Sequence, residues 1–141
     1  MKTAVFVDTS AWYALADSGD VNHVRAISFL RGALTEHRNL VSTNHVIGES
    51  YTLILSRLGH AAAWGFLRST RRSQRLMRIF VSEQLEAEAY ALLERYPNQD
   101  FSFVDGTSFV AMKEHGVSDC FAFDRHFEAM GFRMLPATGL D

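Results

Sequence analysis

Hydrophobic and polar positions alternate with two periods along this chain, and the changes of period outline its secondary structure. Short apolar runs, typical of buried strands, are flanked by polar or turn residues and lie at 3–8, 40–42, 76–81, 120–123 and 132–135. Segments with apolar residues at helical spacing lie between and around them, at 10–16, 21–37, 44–57, 60–70, 82–96, 102–115 and 125–130. Strands that alternate with helices predict right-handed crossovers and a parallel sheet covered by helices on both faces. The predicted fold class is therefore α/β.

Residues with short polar side chains mark the predicted helix starts. The first helix is expected to be capped by Thr9 or Ser10, and the helix that ends at Gly59 by Thr43 or Asn44. Ser82 precedes a first turn that carries acidic residues, as the helix dipole favours. A further helix opens at Ser102 and Asp105, which have the spacing of a capping box with Asp in place of Glu or Gln.

Four acidic residues stand where this fold brings side chains together. Asp8 and Asp124 each follow an apolar strand, and parallel sheets bind ligands at the carboxyl ends of their strands. Glu49 and Asp105 lie on helices that lean over the same edge. Converging carboxylates repel one another unless a cation neutralises them, and oxygen ligands favour Mg²⁺ or Mn²⁺. The pattern indicates metal-assisted phosphodiester chemistry with one or two ions.

Each acid also has an ordinary structural interpretation. Asp105 suits the first turn of a helix, Glu49 a solvated helix face, and Asp124 the N-cap of a short helix. Asp8 is harder to explain in this way, because it ends a buried strand, where an ionised group needs a partner. Asp8 and Asp124 are thus expected to be the most direct ligands, followed by Asp105.

Other side chains near the acids are assigned more modest roles. Thr9 and Ser10 are candidates for hydroxyl contacts behind the ligands. His126 invites an acid–base role, but packing or surface exposure is expected, as it is for His45 on its helix. Trp12 and Tyr13 are assigned to the core, with base stacking as the alternative.

Composition and charge bound the class of protein. The 141 residues are 48% hydrophobic, which suits one folded domain over residues 1–141. Cys120 is the single cysteine and lies in an apolar run, so a buried thiol in a reducing, cytoplasmic setting is expected. Asp8 interrupts the amino-terminal apolar run after five residues, and no signal peptide or membrane span is expected.

The net charge of −2 conceals an uneven distribution. No acidic residue occurs between Ser50 and Ser82. The same stretch contains six arginines, at Arg57, Arg68, Arg71, Arg72, Arg75 and Arg78. Arginine suits phosphate geometry, so Arg68, Arg71, Arg72 and Arg75 are candidate contacts for RNA. A solvated helix end, or a surface for an acidic partner protein, is the alternative.

Several segments in order resemble one family, the PIN-domain nucleases. They are residues 5–11, 42–51, 100–106, 122–127 and 131–136. The likeness runs nearly end to end and is closest to VapC-type toxins of toxin–antitoxin pairs. It implies a three-layer α/β/α sandwich and a Mg²⁺- or Mn²⁺-dependent endoribonuclease, with an antitoxin partner and a homodimer.

Matched motif by motif, the resemblance assigns the four family acids to Asp8, Glu49, Asp105 and Asp124. Gly106 departs from the alanine that many relatives carry after the third acid, and a modest loss of helix stability is expected.

Three other functions are alternatives to that of a toxin. A non-toxin PIN nuclease in RNA maturation is not separated from it by sequence. A Mg²⁺-binding receiver-like signalling domain would need a lysine at a late strand end, and Lys2 and Lys113 are not so placed. The intact set of four acids argues against a binding module that has lost catalysis.

Overall fold

A parallel sheet runs through the protein, which we describe from a computed structural model that covers residues 4–137. Its strands are β1 (Val5–Val7), β2 (Leu40–Thr43), β3 (Leu76–Ile79), β4 (Asp119–Phe121) and β5 (Arg133–Leu135). The helices are α1 (Thr9–Ala16), α2 (His23–Thr35), α3 (Asn44–Leu58), α4 (His60–Arg72), α5 (Glu83–Arg95), α6 (Phe103–Glu114) and α7 (His126–Ala129). The α/β class and the alternation of strands and helices are confirmed, including the α/β/α sandwich.

All five strands are parallel, in the order β3-β2-β1-β4-β5. β1 pairs with β2 on one side and with β4 on the other, so the chain changes direction across the sheet at β1. Such a switch point leaves a crevice at the carboxyl ends of the central strands. β1 is fully buried, as its uninterrupted apolar sequence requires.

Most of the predicted helix caps are present. Thr43, Ser82 and Ser102 each accept a hydrogen bond from a backbone N–H in the first turn of α3, α5 and α6. Gly59 ends α3 with a φ of +94°, a conformation that favours glycine. The prediction for α1 was wrong: its cap is Asp8, one residue earlier than Thr9. The carboxylate of Asp8 accepts the Ser10 N–H, which neither Thr9 nor Ser10 can do from within the helix.

The second helix also departs from the prediction. It spans His23–Thr35 rather than 21–37, and Val24 in its first turn is 78% exposed. Ala26 and Ala33 are the buried positions, so small residues set its approach to the core. Cys120 is buried, as expected, and no helix among residues 4–137 is long and apolar enough to cross a membrane.

Candidate active site

Two of the predicted acids follow the strands on either side of the switch point. Asp8 comes directly after β1, and Asp124 lies three residues beyond the end of β4. The backbone N–H of Asp8 donates to the Phe121 carbonyl at 3.1 Å, which holds the exits of the two strands together. The crevice expected at this edge of the sheet is therefore lined by carboxylates.

Asp8 is buried, with 4% of its surface exposed. Its Oδ2 accepts hydrogen bonds from the Ser10 N–H at 3.1 Å and the Ser10 hydroxyl at 2.7 Å. Burial raises the pKa of Asp8 to about 6, and the hydrogen bonds from Ser10 offset only part of that rise. The negative charge of Asp105 adds to the increase in pKa, because the two carboxylates repel each other.

Ser10 connects the first acid to the segment that carries the fourth. Its hydroxyl donates to Asp8 and accepts the Phe123 N–H at 2.9 Å. Phe123 is the residue before Asp124, so one hydroxyl fixes the end of β1 relative to the loop after β4. Ser10 is therefore bonded to one predicted ligand and to the segment that carries another, and its role behind a metal stays a prediction.

Asp105 enters the site from the first turn of α6. Both arms of the predicted capping box are formed: Ser102 accepts the Asp105 N–H, and Asp105 Oδ2 accepts the Ser102 N–H, each at 2.9 Å. The same Oδ2 lies 2.7 Å from His126 Nδ1. Asp105 thus completes the capping box of α6 and also contacts a residue of the candidate site. Its structural role in the helix and its proposed role as a ligand do not exclude each other.

His126 lies between two of the acids. Its Nδ1 is 2.7 Å from Asp105 Oδ2 and 3.3 Å from Asp124 Oδ1, and Asp124 Oδ1 also accepts the His126 N–H at 3.0 Å. Asp105, Asp124 and His126 each offer an atom within 4.8 Å of the others, close enough to share a metal ion. His126, for which packing or surface exposure was expected, is thus a further residue of the candidate site. Its one signal was its position two residues after Asp124.

Glu49 lies apart from that cluster, exposed on α3. Its Oε1 accepts the Thr9 hydroxyl at 2.6 Å, which ties it to the residue after Asp8. The structure therefore places Glu49 at the rim, on the side of α1. His45, one turn earlier on the same helix, contacts the Phe103 ring at 5.9 Å between ring centroids and has no acid partner among the described residues.

The donor set fits a hard divalent cation. Carboxylate oxygens are the ligands that Mg²⁺ and Mn²⁺ prefer, and two carboxylates, those of Asp105 and Asp124, cluster here with His126. Buried Asp8 lies outside that cluster but near enough to Asp105 for their charges to repel. Burial and the charge of a second carboxylate both raise the pKa of Asp8, because both disfavour its ionised form. A cation bound beside Asp8 would stabilise that ionised form. Trp12 and Tyr13 are both buried, which agrees with the core assignment rather than with base stacking.

The predicted arginines do not form one surface. Arg75 precedes β3 and donates to the Arg38 carbonyl at 2.6 Å, at the amino edge of the sheet and thus opposite the acids. Arg75 is thus separated from the acids and from the other candidate contacts, and its contact with RNA stays a prediction. Arg57 and Arg78 lie over aromatic rings, those of Tyr13 and Phe80. Three remain together and line one surface pocket, namely Arg68, Arg71 and Arg72.

Comparisons with known proteins agree on one family. The PIN domain family model matches residues 5–133. The chain is 38% identical over 129 residues to the 23S rRNA-specific endonuclease VapC20 of Mycobacterium tuberculosis, in strain CDC 1551 / Oshkosh and in strain H37Rv. That alignment covers 91% of this chain and 95% of the relative. The crystal structure of Mycobacterium tuberculosis VapC20, described as a Sarcin-Ricin loop cleaving toxin, superposes with a TM-score of 0.82 at 37% identity, covering 91% of this chain and 95% of that one.

Proposed function

The chain belongs to the PIN domain family, and from that premise we propose that it is a metal-dependent endoribonuclease and the toxin of a toxin–antitoxin pair. The observation that carries the proposal is the cluster of Asp105, Asp124 and His126 at the switch point of the sheet, with buried Asp8 near enough to Asp105 for their charges to repel. The substrate we propose is 23S rRNA at the sarcin–ricin loop, by similarity to VapC20.

We propose that Asp8, Asp105 and Asp124 hold the metal, which is Mg²⁺ or Mn²⁺. Glu49, at the rim on Thr9, is placed to hold a second ion or to orient water. When bound, a divalent ion lowers the pKa of coordinated water and offsets charge on the phosphate. The protein's own contribution is to hold carboxylates of like charge at one point.

Neighbouring groups keep these carboxylates in place before substrate arrives. Ser10 holds Asp8, the Ser102 N–H holds Asp105, and His126 contacts both Asp105 and Asp124. Fixed ligands do not have to be reorganised during the reaction, which is the main source of electrostatic catalysis. We infer that His126 is a positioning residue for these two acids.

The proposed partners are RNA, a small antitoxin protein and a second copy of the chain. Exposed aromatic side chains support a homodimer: Tyr90 is 60% and Phe103 is 37% exposed, and their rings are in contact. A monomer in sedimentation equilibrium at micromolar concentration would rule the homodimer out. A ribosomal substrate and the buried Cys120 thiol support a cytoplasmic location, which fractionation of cells tests.

The test is cleavage of rRNA in isolated ribosomes with Mg²⁺ or Mn²⁺, with cut sites mapped by primer extension. We expect one cut in the sarcin–ricin loop, complete inhibition by EDTA, and a loss of at least about 100-fold in Asp8→Asn. Glu114→Gln is the control, because Glu114 is exposed in the last turn of α6, at the opposite end of that helix from Asp105. Retained cleavage in Asp8→Asn, or full activity in EDTA, would overturn the metal assignment.

A non-toxin nuclease of RNA maturation is the second candidate, and growth separates the two. Expression of a toxin arrests growth, and Asp8→Asn relieves the arrest. Processing of a precursor RNA without growth arrest would favour maturation. The receiver-like alternative is excluded by the family to which the chain belongs.

A further inference from the structure

The outer face of α4 carries one aromatic and three basic side chains. Trp64, Arg68, Arg71 and Arg72 line a single surface pocket. Their spacing of four, seven and eight residues places them on one side of the helix. Trp64 is 45% exposed, and all three arginines are exposed as well. A large flat ring is therefore presented to solvent among guanidinium groups.

Packing does not account for these residue types. The opposite face of α4 supplies the contacts with the rest of the protein, where Ala63 and Thr70 are buried. Phe66, on that inner face, meets the Trp12 ring edge-on at 5.5 Å between centroids. A helix whose inner face is complete has no structural need for an exposed tryptophan outside.

Counter-charges are also missing. Among residues 4–137, no carboxylate pairs with Arg68, Arg71 or Arg72, whereas Arg38 and Arg133 both bind Asp119. No acidic residue occurs from Ser50 to Ser82, so the sequence supplies none nearby. Unpaired guanidinium groups on one face form a site that attracts anions.

The face belongs to a helix that packs against two elements of the proposed active site. α4 packs on α3, which carries Glu49, and it meets α1 through Phe66 and Trp12. Asp8 caps α1, Thr9 begins it, and Glu49 accepts the Thr9 hydroxyl from the second turn of α3. α4 thus contacts both of the helices that carry this rim of the proposed site.

We propose that this face of α4 binds an unpaired stretch of the substrate RNA, with a base stacked on Trp64 and the flanking phosphates on Arg68, Arg71 and Arg72. The proposal rests on the endoribonuclease function and deepens it. Stacking on aromatic rings combined with arginine contacts to phosphate is how proteins hold unpaired RNA. An acidic peptide would use the arginines but gain little from an exposed indole, so the tryptophan favours RNA.

Binding is measured in the Asp8→Asn background, so that RNA remains uncut, with a fluorescently labelled sarcin–ricin hairpin. Trp64→Ala should weaken binding roughly 5- to 150-fold, and Trp64→Phe should restore most of the affinity. Arg71→Ala/Arg72→Ala should reduce the slope of log K against log salt by about 1.4, the loss of two phosphate contacts on a single strand. Arg95→Ala is the control, because Arg95 is exposed in the last turn of α5 as these arginines are in α4.

Tryptophan fluorescence gives a second readout. Stacking quenches an exposed indole, and Trp12 is 8% exposed and serves as a constant background. RNA should quench the emission of Asp8→Asn but not that of Asp8→Asn/Trp64→Phe. Thermal melts confirm that each variant is folded before its affinity is compared.

Unchanged affinity and salt slope in the α4 variants would overturn the inference. The inference would also be overturned if a glutamate-rich peptide bound these variants more weakly while their affinity for RNA stayed constant. Cleavage of ribosomes by the wild-type protein is assayed in parallel. If the wild-type protein does not cleave ribosomes, the proposed function itself is wrong. If it cleaves them but the α4 variants bind RNA as tightly as the unsubstituted protein, only the role of α4 is wrong.

Discussion

At the scale of single residues, Asp8 has two duties that place opposite demands on its charge. As the cap of α1 it needs only an acceptor oxygen for the Ser10 N–H, a contact that contributes about 1 kcal/mol. As a proposed metal ligand it must be ionised. Burial raises its pKa to about 6, so without a cation the ionised form opposes folding.

We expect Asp8→Asn to stabilise the metal-free protein at pH 7. The folded pKa of about 6 lies above the ordinary value of 3.8, so the metal-free wild type loses stability as pH rises from about 4 through 6. The difference between the folded and ordinary pKa values corresponds to at most about 3 kcal/mol in the free energy of unfolding. Asparagine keeps an oxygen that can accept the Ser10 N–H, so the cap of α1 is retained. Urea denaturation in EDTA at pH 4 and pH 7 measures the free energy of unfolding.

At pH 4 the two proteins should be nearly equal in stability. Mg²⁺ should raise the unfolding temperature of the wild type at pH 7 and leave that of Asp8→Asn unchanged. A variant that is less stable than the wild type at pH 7 would contradict the assigned cost of the charge.

Local chemistry explains which residues the sequence identified. Thr43, Ser82 and Ser102 were recognised as caps because capping depends on a few neighbouring residues. His126 was discounted because its partner, Asp105, is 21 positions away and meets it only after folding. The cap of α1 was misplaced for a similar reason, since Asp8 had been assigned to its strand alone.

At the scale of elements, the contact between α5 and α6 explains Gly106. A Cβ at this position would lie 3.0 Å from Leu93 Cγ and 3.1 Å from both of its Cδ atoms. The glycine thus allows a close approach of the two helices. Helix propensity predicted only a loss of helix stability at Gly106, because propensity contains no information on the facing Leu93.

Gly106→Ala is expected to destabilise the protein by about 1 kcal/mol, because crowding against Leu93 exceeds the gain in helix propensity. In a Leu93→Ala background the same change should be stabilising, since the clash is gone. Thermal melts of the double-mutant cycle measure this coupling. Gly32→Ala on α2 meets nothing within 4 Å and should stabilise by up to about 1 kcal/mol, as the control. Additive effects at positions 93 and 106 would contradict the steric account.

At the scale of the whole molecule, the two edges of the sheet are specialised. The carboxyl edge carries the acids of the candidate site. At the amino edge, by contrast, the carboxylate of Asp119 is neutralised by arginines. There Asp119 at the start of β4 binds Arg38 at 2.6 Å and Arg133 Nε at 3.0 Å, which joins the starts of β4 and β5 to the residues before β2. Hydrogen bonds from Arg133, then Arg38, hold the pKa of Asp119 below its ordinary value.

Asp119→Asn should lower stability by about 1–2 kcal/mol at pH 7, a value reduced for the exposure of Arg133. A lowered folded pKa gives stability that is present above the ordinary pKa, near 4, and is lost as pH falls through the folded pKa. The deficit of the variant in unfolding free energy should therefore shrink as pH falls below the ordinary pKa of an aspartate. Urea denaturation across pH 2–7 measures it. An equal deficit at both ends would indicate lost packing rather than lost charge.

Topology sets the limit of the sequence prediction at this scale. Alternating strands and helices predicted a parallel sheet, which is confirmed, whereas ligand binding at its carboxyl edge stays a prediction. The periodicity contains no information on strand order, so it did not reveal that Arg75 lies at the amino edge. Six arginines that are close in sequence are thus divided among different surfaces by the fold.

The hydrogen bonds of Asp8 have a genetic consequence. Either aspartate codon becomes an asparagine codon by one base change, and asparagine retains the oxygen that Ser10 holds. On the proposed role of Asp8, this substitution removes activity, and we expect it to leave a folded chain. Such a variant is expected to keep its binding surfaces and to compete with an active copy for the proposed partners.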